Sequence, residues 1–439
     1  MQSYKDYFKG KQVTVVGLGL LGKRLGDIQF LSKMGAKVTV TDLKTKEQLA
    51  PSVKALKGFK NLTFVLGEHR FEDFENKDFI LKGQGTPVDS PYILHARKNN
   101  IPIEMDESLF MKLAPDVHVI GITGTRGKTF TTELIYHILK KSGKRVHLGG
   151  NIKGTAALPL LGKVKKGDYA VFELSSWQLQ GFGEEKISPE IAVFTSFMPD
   201  HMNYYKNDVN AYFEDKAQIF KHQKKDDVLV VRPAMEKLVK GKNKGKLIVA
   251  HSEDIPKNWK IKTPGEHIRE NAAAAIAVAR YLKIPEAKIK KAVESFKGVS
   301  GRLEFIRNYK GVAIYNDTCA TTPEATAAGL AALAPLAKNL ILLAGGTDKF
   351  LDPKPLAEAV PKFASKTVLL SGSGTAKLKS ELKTDFEEVD DLKKLVKQGI
   401  VNTKKGDIVL FSPGFASFEK FKNEYDRGEQ FVKIVKGLK

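Results

Sequence analysis

The stretch 117–132, VHVIGITGTRGKTFTT, constrains this chain more than any other. Residues 117–122 read as a short buried strand, 124–128 as a glycine-rich turn, and 129 onward as the start of a helix running to about Ser142. A strand, a glycine turn and Lys-Thr at a helix start make room for phosphate, because backbone N–H groups and the positive end of the helix face the anion. In that arrangement Gly124, Thr125, Arg126 and Gly127 form the cradle, Lys128 reaches the β- and γ-phosphates, and the Thr129 hydroxyl meets magnesium. The spacing departs from the common G-x-x-x-x-G-K-[ST] pattern. Ile122 stands where its first glycine falls, and Gly121 precedes Gly127 by one residue too many. A chance Gly-Lys-Thr turn would explain less, since strand and helix flank it on the correct sides.

A second strand–glycine–helix–strand unit spans 13–42. Gly17-x-Gly19-x-x-Gly22, with Leu18 and Leu20 between the glycines, is followed by Asp42 twenty residues after Gly22. This is the dinucleotide fingerprint, and alone it predicts an NAD-dependent oxidoreductase; the same geometry suits any nucleoside diphosphate. Strands near 63–66, 78–82 and 101–104 and helices near 46–56, 90–99 and 107–113 complete a small α/β domain over 1–114.

A central domain is expected over 115–299. It contains GGNIKG (149–154) with Asn151, a strand at 169–174 bearing Glu173, and a strand at 191–197 leading to His201. An acid at the carboxyl end of a strand beside the phosphate-loop strand is well placed for magnesium. His201 shares that rim, although a lone histidine is more often structural. A helix over about 210–222 carries Lys216, where a snorkelling lysine is the ordinary expectation. Another, over 265–282, carries Asn271, suited to an adenine edge or to capping. After the linker 299–302 a third α/β domain occupies 300–439. Its strands near 303–307, 312–316, 339–344, 366–370 and 407–411 each end in a polar or glycine turn, expected along one edge of a parallel sheet.

Composition narrows the class. With 439 residues and 42% hydrophobic content the chain can bury two or three cores. No run of eighteen apolar residues predicts a membrane span, and MQSYKDYFKG carries no export signal. A single cysteine, Cys319, excludes an internal disulfide framework and favours a cytoplasmic protein. The net charge of +22 is spread as lysine along the whole chain without interleaved aromatic platforms. That pattern fits anionic small substrates better than nucleic acid.

Together the motifs resemble the Mur ligase family, and within it the members that add glutamate. The resemblance rests on GITGTRGKT (121–129), GGNI (149–152), ELSSWQL (173–179), DHM (200–202), Lys216 and GEHIREN (265–271). It continues through Gly301-Arg302-x-Glu304, NDTCATTPEA (316–325), LLAGGTDK (342–349) and SPGFASFEKFKNEYDRGEQF (412–431). It implies three α/β domains and an ATP-dependent amide ligase that joins D-glutamate to UDP-N-acetylmuramoyl-L-alanine through an acyl phosphate, in peptidoglycan precursor synthesis. It further implies a monomer with two magnesium ions, held by Thr129, Glu173, His201 and a carbamylated Lys216. By the same resemblance, Lys128, Glu173, His201 and Lys216 are catalytic, and Gly124–Thr129, Asn271, Arg302 and Asp317 bind ATP. Gly17, Leu18, Gly19, Leu20, Gly22, Asp42 and Asn151 would then bind the UDP-substrate, and Thr321, Lys349, Ser412 and Phe418 the glutamate.

Five departures from the family pattern stand out: Cys319 for lysine, Arg126 for asparagine, Ile268 for asparagine, Lys153 for glycine, and Lys82-Gly83-Gln84-Gly85 for Ser-Pro-Gly. They keep three alternatives in view: a Mur-type ligase with another substrate, a folylpolyglutamate-synthase-like ligase, and a nucleotide-binding regulator without catalysis.

Overall fold

The first sheet shows why glycine loops lie where they do. In the computed structural model, which describes residues 4–438 apart from 21 and 153, five parallel strands form it. They are β1 (Gln12–Val16), β2 (Lys37–Asp42), β3 (Leu62–Leu66), β4 (Phe79–Leu81) and β5 (Ile103–Glu104), in the order β3-β2-β1-β4-β5. The order reverses about β1, so the loop leaving its carboxyl end opens into the crevice where such sheets bind ligands. Lys153, one of the departures, lies outside the described residues.

The second sheet repeats this logic with β6 (His118–Thr123), β7 (Val146–Gly150), β8 (Tyr169–Glu173), β9 (Ile191–Phe194), β10 (Val228–Val231) and β11 (Lys246–Val249). All are parallel in the order β11-β10-β9-β6-β8-β7, which puts β6 and its glycine loop at the reversal, with β8 and β9 on either side. The strands β9 and β10 are buried along their whole length, as parallel strands covered on both faces must be. The pair β10 and β11 is not expected from the sequence, because each is a run of only four residues.

The third sheet contains β12 (Glu304–Tyr309), β13 (Val312–Asn316), β14 (Leu340–Ala344), β15 (Lys366–Leu370), β16 (Glu387–Val389) and β17 (Ile408–Phe411), ordered β12-β13-β17-β14-β15-β16. The expectation of a wholly parallel sheet fails at β12, which pairs antiparallel with β13. Only Lys310 (φ 51°) and Gly311 (φ 87°) join the two strands, and a two-residue turn with both φ values positive closes a hairpin.

The chain divides into two compact units, one of residues up to 257 with 270–292, the other of 258–269 with 293–439. The first two sheets share the first unit for a packing reason. The helix Asp106–Leu113 sets Phe110 edge-on against Phe172 of β8, ring centroids 5.1 Å apart, within one continuous apolar core. The third sheet builds separate cores on its two faces within the second unit. Among the described residues no helix is long and apolar enough to cross a membrane.

Candidate active site

The loop after β6 is fixed by two glycines that no other residue could replace without strain. Gly127 has φ 90° and directly precedes the helix Lys128–Lys141, and a Cβ there would lie 2.4 Å from Asn271 Oδ1. Gly124 has φ 144°, and its Cβ would lie 2.1 Å from Thr195 Oγ1. The loop is bolted to the end of β9: Thr125 N donates to Ser196 O (2.8 Å) and Arg126 N to Ser196 Oγ (2.8 Å). The Arg126 guanidinium reaches sideways to Asp200 at 3.1 Å.

Two lysines converge on this loop. Lys128 Nζ donates to Gly124 O (2.8 Å) and Thr125 O (3.2 Å), and Lys216 Nζ donates to the same Gly124 O at 3.0 Å. Lys216 lies on the helix Val209–Lys221, whose start is capped by Asp208, and is only 2% exposed. It therefore does not snorkel. Burial, reinforced by the neighbouring Lys128 charge, holds its amine well below the usual lysine range. Thr129 is the second residue of the phosphate-loop helix.

The acid on the rim is equally enclosed. Glu173 ends β8, is 3% exposed, and accepts from Asn151 Nδ2 at 3.2 Å through Oε1, while its Oε2 is buried without a hydrogen bond. The Gly149-Gly150-Asn151 turn lies directly on it, since Asn151 N donates to Glu173 O at 2.7 Å. A Cβ on Gly150 would lie 2.1 Å from that carbonyl. His201, with φ 56°, sets its ring tilted against Trp177, centroids 4.5 Å apart, and Asp200 lies 3.9 Å from its Nε2. Burial first, and then Lys216, Lys128 and Arg126, lower its pKa against the pull of Asp200. Asn271, 3% exposed, presents a buried Oδ1 without a hydrogen bond beside Gly127.

Among the described residues no three of His, Cys, Asp and Glu stand together as a preformed metal cage. The orphaned Glu173 oxygen nevertheless fits a hard cation that brings its own water and phosphate ligands.

Around the first loop the chemistry differs. Gly22 (φ 82°) precedes the helix Lys23–Lys33, but Leu18 N (2.8 Å) and Gly19 N (3.2 Å) both donate to Asp42 Oδ2. Leu20 is exposed, whereas Leu18 is buried. Lys23 is bound to Asp106 at 3.1 Å and to Glu107, and Glu107 also accepts from Gln178. This cluster was not expected, because Asp106 and Glu107 read as ordinary first-turn helix residues yet are wholly buried.

In the second unit, Asp317 accepts from Ser412 Oγ (2.8 Å) and Leu303 N (3.1 Å), and burial raises its carboxyl to about 7. Arg302, exposed, favours the ionised form. Lys349 Nζ donates to Thr321 Oγ1 at 3.1 Å, and Phe418 is largely exposed. Cys319 is partly buried, and burial pushes its thiol up. Ile268 is buried.

Comparison with known proteins agrees with this architecture. Residues 122–252 match the Mur ligase middle domain and 301–415 the Mur ligase glutamate ligase domain. Over 98% of its length the chain is 34% identical to the UDP-N-acetylmuramoylalanine–D-glutamate ligase of Roseiflexus sp., covering 99% of that protein. The chain belongs to the Mur ligase family. The ligase of the same name from Clostridium perfringens is also 34% identical, over 99% of this chain and 98% of its own. Among solved structures, the Thermotoga maritima MurF ligase in complex with ADP superimposes with a TM-score of 0.61 at 20% identity, over 98% of this chain and 97% of that one. UDP-N-acetylmuramate–alanine ligase MurC from the same organism gives 0.60 at 20% identity, over 98% and 100%. These two likenesses concern the Mur ligase fold.

Proposed function

We propose that this Mur ligase couples ATP to the joining of D-glutamate to UDP-N-acetylmuramoyl-L-alanine in peptidoglycan precursor synthesis. The observation that carries the reading is the 34% identity to ligases of that name over nearly the whole of both chains. A carboxylate is a poor acyl donor, so one of its oxygens first attacks the γ-phosphorus of ATP and ADP leaves. The glutamate amine then attacks the acyl phosphate carbon, loses a proton, and expels phosphate from the tetrahedral intermediate.

Lys128 and the loop 124–129 hold the transferring phosphoryl group, where positioned cations and backbone N–H groups act on developing charge. Magnesium, when bound, neutralises phosphate oxygens and orients the leaving group. Thr129, Glu173 and His201 are suited to hold one ion. Lys216 would serve a second as its carbamate: burial favours the uncharged amine, whose nitrogen would add carbon dioxide and shed a proton, so that an anion replaces the amine. That conversion explains why a lysine lies beside an intended metal site.

Asn271 offers its unpaired Oδ1 to an adenine edge, with Arg302 and Asp317 completing the ATP contacts. The UDP-substrate lies at Gly17–Gly22, Asp42 and Asn151, and glutamate meets Thr321, Lys349, Ser412 and Phe418. A monomer working in the cytoplasm completes the reading.

Phosphate release from ATP, measured with UDP-N-acetylmuramoyl-L-alanine and D-glutamate, L-glutamate or other amino acids in turn, tests the reading. Release with D-glutamate alone is expected. Release with another amino acid would reassign the substrate. No release with any of them, despite ATP binding, would favour a regulator.

A further inference from the structure

Lys82 opens the stretch that replaces the family's Ser-Pro-Gly, and the structure gives it an unusual setting. It is 2% exposed, and its ammonium donates to Thr86 O (2.9 Å) and to Gln180 Oε1 (3.1 Å). The side chain thus folds over its own loop and reaches into the helix Ser176–Glu184 that follows Glu173. An ammonium only donates, so Gln180 must turn its oxygen toward Lys82 and its amide nitrogen away. That nitrogen donates to Asp215 Oδ2 (2.7 Å) and Tyr204 OH (3.1 Å). Asp215 accepts a second bond from Tyr205 OH (2.9 Å) and immediately precedes Lys216 on its helix.

At its other end the loop lies against the substrate side of the first sheet. A Cβ on Gly83 would lie 2.8 Å from Val16 O, the residue before the Gly17–Gly22 loop. Arg24, two residues after that loop, donates to Lys82 O at 3.1 Å. One series of hydrogen bonds therefore runs from Arg24, on the helix that follows the first glycine loop, through Lys82 and Gln180 to the helix carrying Lys216. The Lys82 ammonium and the Asp215 carboxylate thus hold the Gln180 amide from its two ends.

We infer that Lys82 is a positioning residue that, through Gln180 and Asp215, ties the loop 82–86 beside the UDP-substrate site to the helix bearing Lys216. The inference rests on the proposed ligase reading for the identity of that substrate. Lys82→Met keeps the length and removes the ammonium, and Gln180→Leu cuts the same bond from the other side.

In steady-state phosphate-release assays of the full chain, each variant should raise KM for UDP-N-acetylmuramoyl-L-alanine about tenfold, with KM for ATP within about twofold. The double variant should be no worse than the weaker single, since both remove one connection. Amide hydrogen exchange gives a readout that needs no turnover: Lys82→Met should speed exchange in 83–86 and 176–184 together. Additive KM effects, equal losses toward ATP, or faster exchange in 83–86 alone would overturn the inference. An inactive wild-type enzyme that still shows joint exchange would fail the ligase reading while leaving the connection standing.

Discussion

The two glycine loops of the first unit are built alike and charged differently. Each follows a central parallel strand, each ends in a left-handed glycine, and each places a lysine at the next position, Lys23 or Lys128. At the first loop the protein supplies its own anions: Asp42 takes two loop N–H groups, and Asp106 and Glu107 take Lys23. At the second, Lys128 and Lys216 both point at the loop's own Gly124 carbonyl. A loop whose N–H groups and lysine are already taken by carboxylates would hold a ligand by shape rather than by charge. A loop onto which lysine nitrogens are already drawn would suit a group whose negative charge grows during reaction.

The comparison is broken most directly at the second loop. Lys128→Met should lower kcat for phosphate release about 100- to 1000-fold, the usual loss for one positioned donor at a developing charge. Lys23→Met should mainly raise KM for the UDP-substrate. Next in size, Lys216→Ala should be nearly inactive and partly rescued by a small carboxylic acid in the assay. Full activity of the unrescued variant would reject the carbamate.

Both loops were legible from sequence because glycine spacing between a buried strand and a helix has few structural meanings, and so was the place of Glu173 at the end of β8, whereas His201 lies seven residues beyond the end of β9. What decides their difference was not. Asp106, Glu107, Lys82 and Asp215 have nothing local to mark them as buried, and among their partners Lys23, Gln178 and Gln180 lie about 35 to 98 residues away in sequence. Side-chain pairing of that range is set by how sheets pack. Likewise β12 reads as an ordinary strand, and only the length of its turn makes it antiparallel.

Smaller changes sharpen the contrast. Gly22→Ala meets no atom within 4 Å, so its cost is the left-handed backbone alone, about 1–2 kcal/mol in urea unfolding. Gly127→Ala carries the same strain and also drives into Asn271 Oδ1, so it should lose more stability and weaken ATP binding as well. Equal costs would mean that Asn271 is not packed under the second loop.

A last contrast concerns pH at the first loop. Burial, and then the charge of Asp106, raise Glu107 to about 7, against the pull of Lys23. Between its ordinary value of 4.5 and about 7, the folded chain holds a proton that the unfolded chain releases. The contribution of Glu107 to stability is therefore present in full below pH 4.5 and declines as pH rises through 7. Glu107→Gln, which cannot titrate, should flatten the slope of urea midpoint against pH across that window, while Lys128→Met should leave the slope as in the wild type. A slope unchanged by Glu107→Gln would mean that the carboxylates around Lys23 stay ionised throughout, and that the first loop is held by charge pairing alone.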